Sequence, residues 1–207
     1  MNHFLIISIL TIFIFSCTPD NKAATQQSSR NDTQPAGKND APAGKSGEAA
    51  EITFTYTRQS GSASNQYAVW IEDVNGKHVK TLYATRWTAN GGFSRRPASI
   101  PLWVQKSGLA GMSGAQVDAV SGATPSTGAV TLVWDGTDSK GAAVSNGNYM
   151  LILEATLRWE NQAYYRAPIA LGQGAVAAKV NVEYTEGERD AAAERLMIRD
   201  VGVKVLR

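Results

Sequence analysis

From residue 52 onward, most of the chain consists of short segments in which apolar and polar residues alternate. The first of them, residues 52–58, alternates with a period of two, as a strand with one buried face does. Further strands are predicted at residues 67–74, 77–84, 129–134, 148–159, 163–171, 176–184 and 197–206. The only helical pattern covers residues 190–196, at most two turns. Many short strands separated by turn signals predict an all-β protein with a β-sandwich fold.

One turn between predicted strands has a specific sequence signal. Asn75-Gly76 lies between the segments 67–74 and 77–84. The Asn-Gly pair favours a type I′ hairpin turn, because both central residues of that turn need a positive φ. A two-residue loop there places Asp73 opposite His78.

The N-terminal segment predicts export and lipidation. Residues 4–15 form an apolar run that is too short to span a bilayer of roughly 30 Å but fits the apolar region of a signal peptide. The run ends in Ile14-Phe15-Ser16-Cys17, which resembles a bacterial lipobox. This resemblance implies a signal peptide over residues 1–16, lipidation of Cys17 and a membrane anchor. Since Thr18 and not Asp follows the cysteine, the periplasmic side of an outer membrane is expected in a Gram-negative source. The alternative is a plain signal peptide.

Between this leader and the first strand, the composition changes. Residues 17–50 are rich in Ala, Ser, Thr, Gln, Asn, Gly, Pro and Lys and have no apolar period. Such a segment buries too little apolar surface to offset the entropy of ordering it, so it is predicted to be a disordered, flexible tether. Residues 51–207 then form one domain.

The overall composition excludes several classes of protein. Charged residues are 18% and the formal net charge is +2, which gives no basic excess for nucleic acid. One cysteine and two histidines exclude a disulfide framework, an iron–sulfur cluster and a Cys-rich zinc site.

A turn-rich motif follows the strand at 129–134. Trp134-Asp135-Gly136 leads through Asp138 to Tyr149, and the whole stretch resembles the signature of the immunoglobulin-like domain of flagellar hook-capping proteins. The resemblance implies an immunoglobulin-like antiparallel β-sandwich. The residues themselves indicate a large ring closing one strand and Asp and Gly residues building turns. Calcium binding by Asp135 and Asp138 is the alternative.

A second motif carries candidate chemistry. The segment 118–124 reads Asp-Ala-Val-Ser-Gly-Ala-Thr, which resembles the D-x-x-[ST]-G-A-T acceptor motif of proteins that carry covalent FMN. The resemblance implies FMN esterified to Thr124 by a transferase that uses FAD, with Asp118, Ser121, Gly122 and Ala123 as recognition residues. Small residues let a second active site approach the backbone. The alternative is a structural loop leading into the strand at residue 129.

The domain as a whole, residues 52–205, also resembles an uncharacterised bacterial family of predicted periplasmic proteins. The resemblance rests on Val79-Lys80-Thr81-Leu82-Tyr83, Arg95-Arg96-Pro97, Leu102-Trp103 and the two motifs above. It implies an FMN transferase and membrane redox proteins with PepSY domains as partners.

Four further features have a structural reading beside the functional one. Trp87, Trp103, Arg95 and Arg96 would suit a flavin and its phosphate, although packing is favoured for the two rings and a solvated pair is the alternative for the arginines. His78 with Asp73 suggests a catalytic dyad, but a cross-strand ion pair is favoured. Glu154 shares a strand face with Met150, Ile152 and Thr156, and pairing with an arginine is expected. Residues 172–174 (Gly-Gln-Gly) lack the third glycine of a dinucleotide loop and predict a hairpin turn.

Together these features predict a lipid-anchored, extracytoplasmic redox accessory protein that carries FMN on Thr124. It is not predicted to be an enzyme in its own right. The alternative is a non-enzymatic scaffold or adhesion module. A glycan-binding sandwich that uses Trp87 and Trp103 is the third hypothesis.

Overall fold

The computed structural model describes residues 47–60, 65–158, 160–185 and 194–206. The predicted signal peptide, Cys17 and most of the predicted tether lie outside these residues. Strand β1 begins at Ala49 and so includes the last two residues assigned to the tether. The strands are β1 Ala49–Tyr56, β2 Gln66–Asp73, β3 His78–Thr85, β4 Ser121–Gly122, β5 Gly128–Trp134, β6 Gly147–Thr156, β7 Gln162–Leu171, β8 Asn181–Thr185 and β9 Ile198–Leu206.

These strands form two packed sheets, which confirms the predicted all-β sandwich. One sheet has three strands in the order β5-β1-β9, and the other has six in the order β4-β3-β2-β6-β7-β8. The main core lies between them, where the alternate residues Ile52, Phe54 and Tyr56 of β1 are buried against the facing sheet. All strand pairs are antiparallel except β3–β4, which is parallel and departs from the purely antiparallel expectation.

A helical layer, which we define as residues 88–120, covers the outer face of the six-stranded sheet. It contains a kinked turn Thr88–Gly92, α1 Phe93–Arg95, α2 Pro101–Ser107, a 3-10 turn Leu109–Gly111 and α3 Gly114–Val120. Trp103, Ile100 and Leu109 pack against Trp70 and Ile152 of the sheet and form a second core. As a result β2 is buried on both faces. The sequence prediction of helix at residues 190–196 alone was therefore wrong.

The C-terminal part also differs from the predictions in detail. Residues 190–193 lie outside the described residues, and Glu194–Met197 form a 3-10 turn. The predicted strand 176–184 is divided between the two sheets. The Ala178 N–H donates to the Val203 carbonyl of β9, whereas Asn181–Thr185 pair with β7. Residues 172–174 are consequently a turn into a sheet crossover and not a simple hairpin.

The Asn75-Gly76 turn is not of type I′. Gly76 has φ 71°, but Asn75 is not among the residues with positive φ. The Gly76 N–H donates to the Asp73 carbonyl at 3.0 Å, and the Asp73 N–H donates to the Lys77 carbonyl at 3.0 Å. This is a type I turn followed by a left-handed glycine, and the longer loop shifts the register by one residue. Glu72, not Asp73, therefore lies opposite His78.

Candidate functional site

The FMN-acceptor-like motif lies at the edge of the six-stranded sheet. Its first residues belong to α3, which begins with a capping box between Ser113 and Gln116. Ser121 and Gly122 then form the edge strand β4, which pairs in parallel with Ala84 and Thr85 of β3. Residues 123–127 form the loop into β5, and Thr124 lies in this loop.

Tyr83 of β3 holds the backbone of this motif. Its hydroxyl donates to the Ala123 carbonyl at 2.8 Å and lies 3.3 Å from the Gly122 carbonyl. The Tyr83 ring also stacks on Tyr67, with 5.0 Å between ring centroids. Burial raises the pKa of the Tyr83 hydroxyl, so it stays protonated and remains a donor at neutral pH. The first part of the loop is thus anchored through main-chain carbonyls, and at its far end Thr127 Oγ1 accepts the N–H of Arg58 at 3.0 Å.

Gly122 is the one position of the motif where steric space requires glycine. A Cβ atom there would lie 2.8 Å from Cε2 of Tyr83. Because Tyr83 is packed against Tyr67, its ring has little room to move. Packing against Tyr83 therefore requires glycine at position 122, independently of any modifying enzyme.

We expect Gly122→Ala to lower the free energy of unfolding by about 1–3 kcal/mol, the usual cost of overpacking. The measurement is urea denaturation followed by tryptophan fluorescence. Gly114→Ala is the matched control in the same segment, since a Cβ there meets nothing within 4 Å. Equal stability of the two variants would show that Tyr83 does not fix this strand.

Thr124 itself is half-buried in the loop. Among the described residues, its hydroxyl has no hydrogen-bond partner. The motif residues do not form one cluster. Asp118 is exposed on α3, whereas the Ser121 Oγ is buried without a partner in the described part of the chain. Gly122 and Thr124 are half-buried, and Ala123 between them is exposed.

An exposed aromatic residue lies at the same end of the sheet. Because β3 and β4 run parallel through the pairs Ala84–Ser121 and Thr85–Gly122, the segments that follow both strands leave the sheet together. The segment that follows β3 contains Trp87, which is 39% exposed. The guanidinium carbon of Arg95 lies 5.6 Å from the centre of its ring.

Trp103 is separated from this surface. It is fully buried in the second core, and its Nε1 donates to the Thr81 hydroxyl at 3.0 Å. Core packing is therefore confirmed for Trp103. A glycan-binding face that uses both Trp87 and Trp103 is wrong for this reason.

Glu154 anchors the helical layer to the sheet. Its carboxylate accepts the N–H groups of Leu102 at 3.1 Å and Trp103 at 2.7 Å, which belong to the first turn of α2. Next to it, Thr156 Oγ1 accepts the N–H of Ile100 at 2.7 Å. Burial raises the pKa of Glu154 to about 7, and the two N–H bonds work against that rise.

The expected arginine pair of Glu154 is wrong, since its hydrogen-bond partners are two backbone amides and the Tyr164 hydroxyl. Arg166 is close enough to lower the Glu154 pKa, but its ion pair is with Glu183 at 3.0 Å. Sequence reasoning found the shared face with Met150, Ile152 and Thr156 but missed the helix above it. The sequence signal for that helix was a polar residue on a strand face that is otherwise buried.

The Trp134-Asp135-Gly136 stretch has the predicted structural role. Trp134 is fully buried and its Nε1 donates to the Thr137 carbonyl at 2.8 Å. Asp135 accepts from Lys80 at 2.8 Å, and Asp138 accepts the turn amides of Lys140 and Ala142. Within the described residues no group of three or more His, Cys, Asp or Glu is arranged to hold a metal ion.

His78 does not form a dyad or an ion pair with Asp73. The Asp73 carboxylate accepts the N–H groups of Asn75 and Lys77 in its own turn. His78 Nε2 lies 2.8 Å from the Thr81 hydroxyl, and burial lowers the pKa of the imidazole. The ring is therefore neutral at pH 7 and belongs to a buried polar network with Trp103.

Comparison with known proteins shows the family. The model of the family described as predicted periplasmic protein (DUF2271) matches residues 49–189, and the chain belongs to this family. No curated protein and no solved structure gives a significant match. Across the described residues, no helix is long and apolar enough to cross a membrane.

Proposed function

As a member of the DUF2271 family of predicted periplasmic proteins, the chain works outside the cytoplasm, and we propose that it is a redox accessory protein there. In this proposal Thr124 carries FMN through a phosphoester, and a lipid on Cys17 keeps the protein at the membrane. Bound FMN would supply electron transfer between envelope partners. The chain itself supplies the attachment residue and the surface around it.

The observation that supports attachment is the state of the Thr124 hydroxyl. It lies in a loop of small residues at the sheet edge and makes no hydrogen bond to a described residue. Modification therefore breaks no contact of the fold. Tyr83 holds the neighbouring carbonyls, so the loop presents the hydroxyl to a transferase in one conformation.

The attachment reaction is a phosphoryl transfer. The Thr124 oxygen would attack the FMN-side phosphorus of FAD, the pyrophosphate bond would break, and AMP would leave. The hydroxyl proton would pass to a base of the transferase. Since these catalytic groups belong to the other enzyme, the chain needs only an accessible nucleophile at this position.

Trp87 and Arg95 would position the flavin after attachment. The exposed Trp87 ring offers a stacking surface at the end of the sheet where Thr124 lies, and Arg95 supplies a positive charge beside it. The free edge of the sheet leaves this side of the loop open to a partner.

The test is the intact mass of the protein after periplasmic co-expression with an FMN transferase. The proposal expects a mass greater by one FMN less one water, with flavin fluorescence that survives denaturation. Thr124→Ala should lose both signals completely, whereas Thr127→Ala, three residues along the same loop, should keep them. An unmodified native chain, or flavin retained by Thr124→Ala, would overturn the proposal and favour a scaffold role.

A further inference from the structure

A pocket of about 500 Å³ opens between the helical layer and strand β3. Its walls come from the N-terminal half of β3, from the segment between α2 and α3, and from the turn after Trp134. We propose that this pocket binds a small organic monocarboxylate with an apolar body. The proposal does not depend on modification of Thr124. The pocket volume lies within the range of small-molecule sites, roughly 300–1,000 Å³.

The polar part of the lining combines two cations with neutral groups. Lys80 and Lys140 contribute ammonium groups, and the neutral side chains include His78, Thr81, Ser107, Gln116 and Ser139. No aspartate or glutamate is among the lining residues. A group that accepts hydrogen bonds and carries negative charge matches the two ammonium groups, whereas a cation does not.

The charge balance favours one negative charge. Lys80 already forms an ion pair with Asp135 at 2.8 Å, so its charge is largely compensated. Lys140 lines the pocket, and its side chain forms no ion pair with a described residue. His78 is neutral because burial lowers its pKa, and it adds no second charge. The Asp138 carboxylate in the same turn interacts electrostatically with Lys140 without a close ion pair, and one partly compensated ammonium suits a carboxylate better than a phosphate dianion.

The apolar part of the lining comes from the helical layer. Met112, Ala119 and Val120 contribute side chains, and Gly108 and Gly111 add none. The same layer also contributes the polar Ser107 and Gln116. An elongated or flat hydrocarbon body would bury apolar surface there while its carboxylate reaches Lys140.

The experiment titrates the unmodified protein with 2-naphthoate at neutral pH and follows the fluorescence of the ligand. We expect saturable binding, with 2-naphthamide, the neutral isostere, at least fivefold weaker. Lys140→Ala should weaken 2-naphthoate binding about fivefold. Lys179→Ala, which removes an exposed lysine outside the pocket, is the matched control and should bind as the native protein does.

A second variant tests the apolar wall. Ala119 is exposed at the surface of α3, so Ala119→Asp should fold normally, as circular dichroism would verify. The added carboxylate should abolish 2-naphthoate binding. Equal binding of 2-naphthoate and 2-naphthamide, equal weakening in the Lys140 and Lys179 variants, or displacement of 2-naphthoate by an equal concentration of inorganic phosphate would each overturn the proposal.

Discussion

Replacing Trp103 with alanine is expected to lower the free energy of unfolding by about 3–5 kcal/mol, the range for a buried tryptophan truncated in a core. Trp103 is fully buried and lies at the centre of the contact between the helical layer and the six-stranded sheet. Its loss leaves a cavity there and removes the donor to Thr81. Urea denaturation followed by far-UV circular dichroism measures the change.

Trp87→Ala is the matched control for this change. Trp87 immediately precedes the helical layer and is 39% exposed, and its ring lies over Gly92 and near the Arg95 guanidinium. Its truncation should cost at most about 1 kcal/mol. If Trp103→Ala were no more destabilising than Trp87→Ala, the helical layer would be an independent addition to the sandwich and not part of its core.

The strands of the sandwich could be predicted from sequence because their signal is local. In β1 the alternation of buried and half-buried residues appears directly in the letters, and the structure gives the same alternation. Turn chemistry was less reliable. The Asn75-Gly76 pair suggests one turn type, but the Asp73 carboxylate accepts two turn amides and stabilises a longer loop.

The helical layer escaped prediction because its helices are short. Both α2 and α3 have seven residues, too few to be stable alone or to show a clear helical period. They form because their apolar residues pack on the sheet. The nearly continuous apolar run of β2 was the available sign, since a strand buried on both faces needs a second layer to cover it.

The candidate site was only partly accessible from sequence. The motif placed Thr124 in a loop before β5, and the structure has it there. Its support was not predictable, because Tyr83 lies about forty residues away along the chain and meets Ala123 only through the β3–β4 pairing. Ser121 and Asp118 face different surroundings, which a linear motif does not reveal.

Replacing Glu154 with glutamine is expected to leave stability unchanged near pH 4 and to raise the free energy of unfolding by about 3 kcal/mol at pH 8. Burial raises the pKa of Glu154 from 4.5 to about 7 in the native state. The native state therefore keeps a proton that the unfolded chain releases between these values. The stability due to Glu154 is complete below pH 4.5 and is lost as the pH rises to about 7, at about 1.4 kcal/mol per unit.

The measurement is the difference in unfolding free energy between the native protein and Glu154→Gln at intervals from pH 4 to pH 8. His78 acts in the opposite direction, since burial lowers its pKa, but both proteins keep His78 and its effect cancels in the difference. Asp118→Asn, which removes an exposed carboxylate of α3, is the control for the loss of one negative charge.

The outcome decides which form of Glu154 holds the helical layer on the sheet. The carboxylate faces the N–H groups of Leu102 and Trp103 from α2, and Tyr164 and Arg166 from β7. If desolvation dominates these contacts, glutamine is the better residue above pH 7. If Glu154→Gln instead becomes less stable relative to the native protein as the pH rises, the amides bind the ionised carboxylate more strongly than burial disfavours it. In that case the attachment of α2 would depend on the charge.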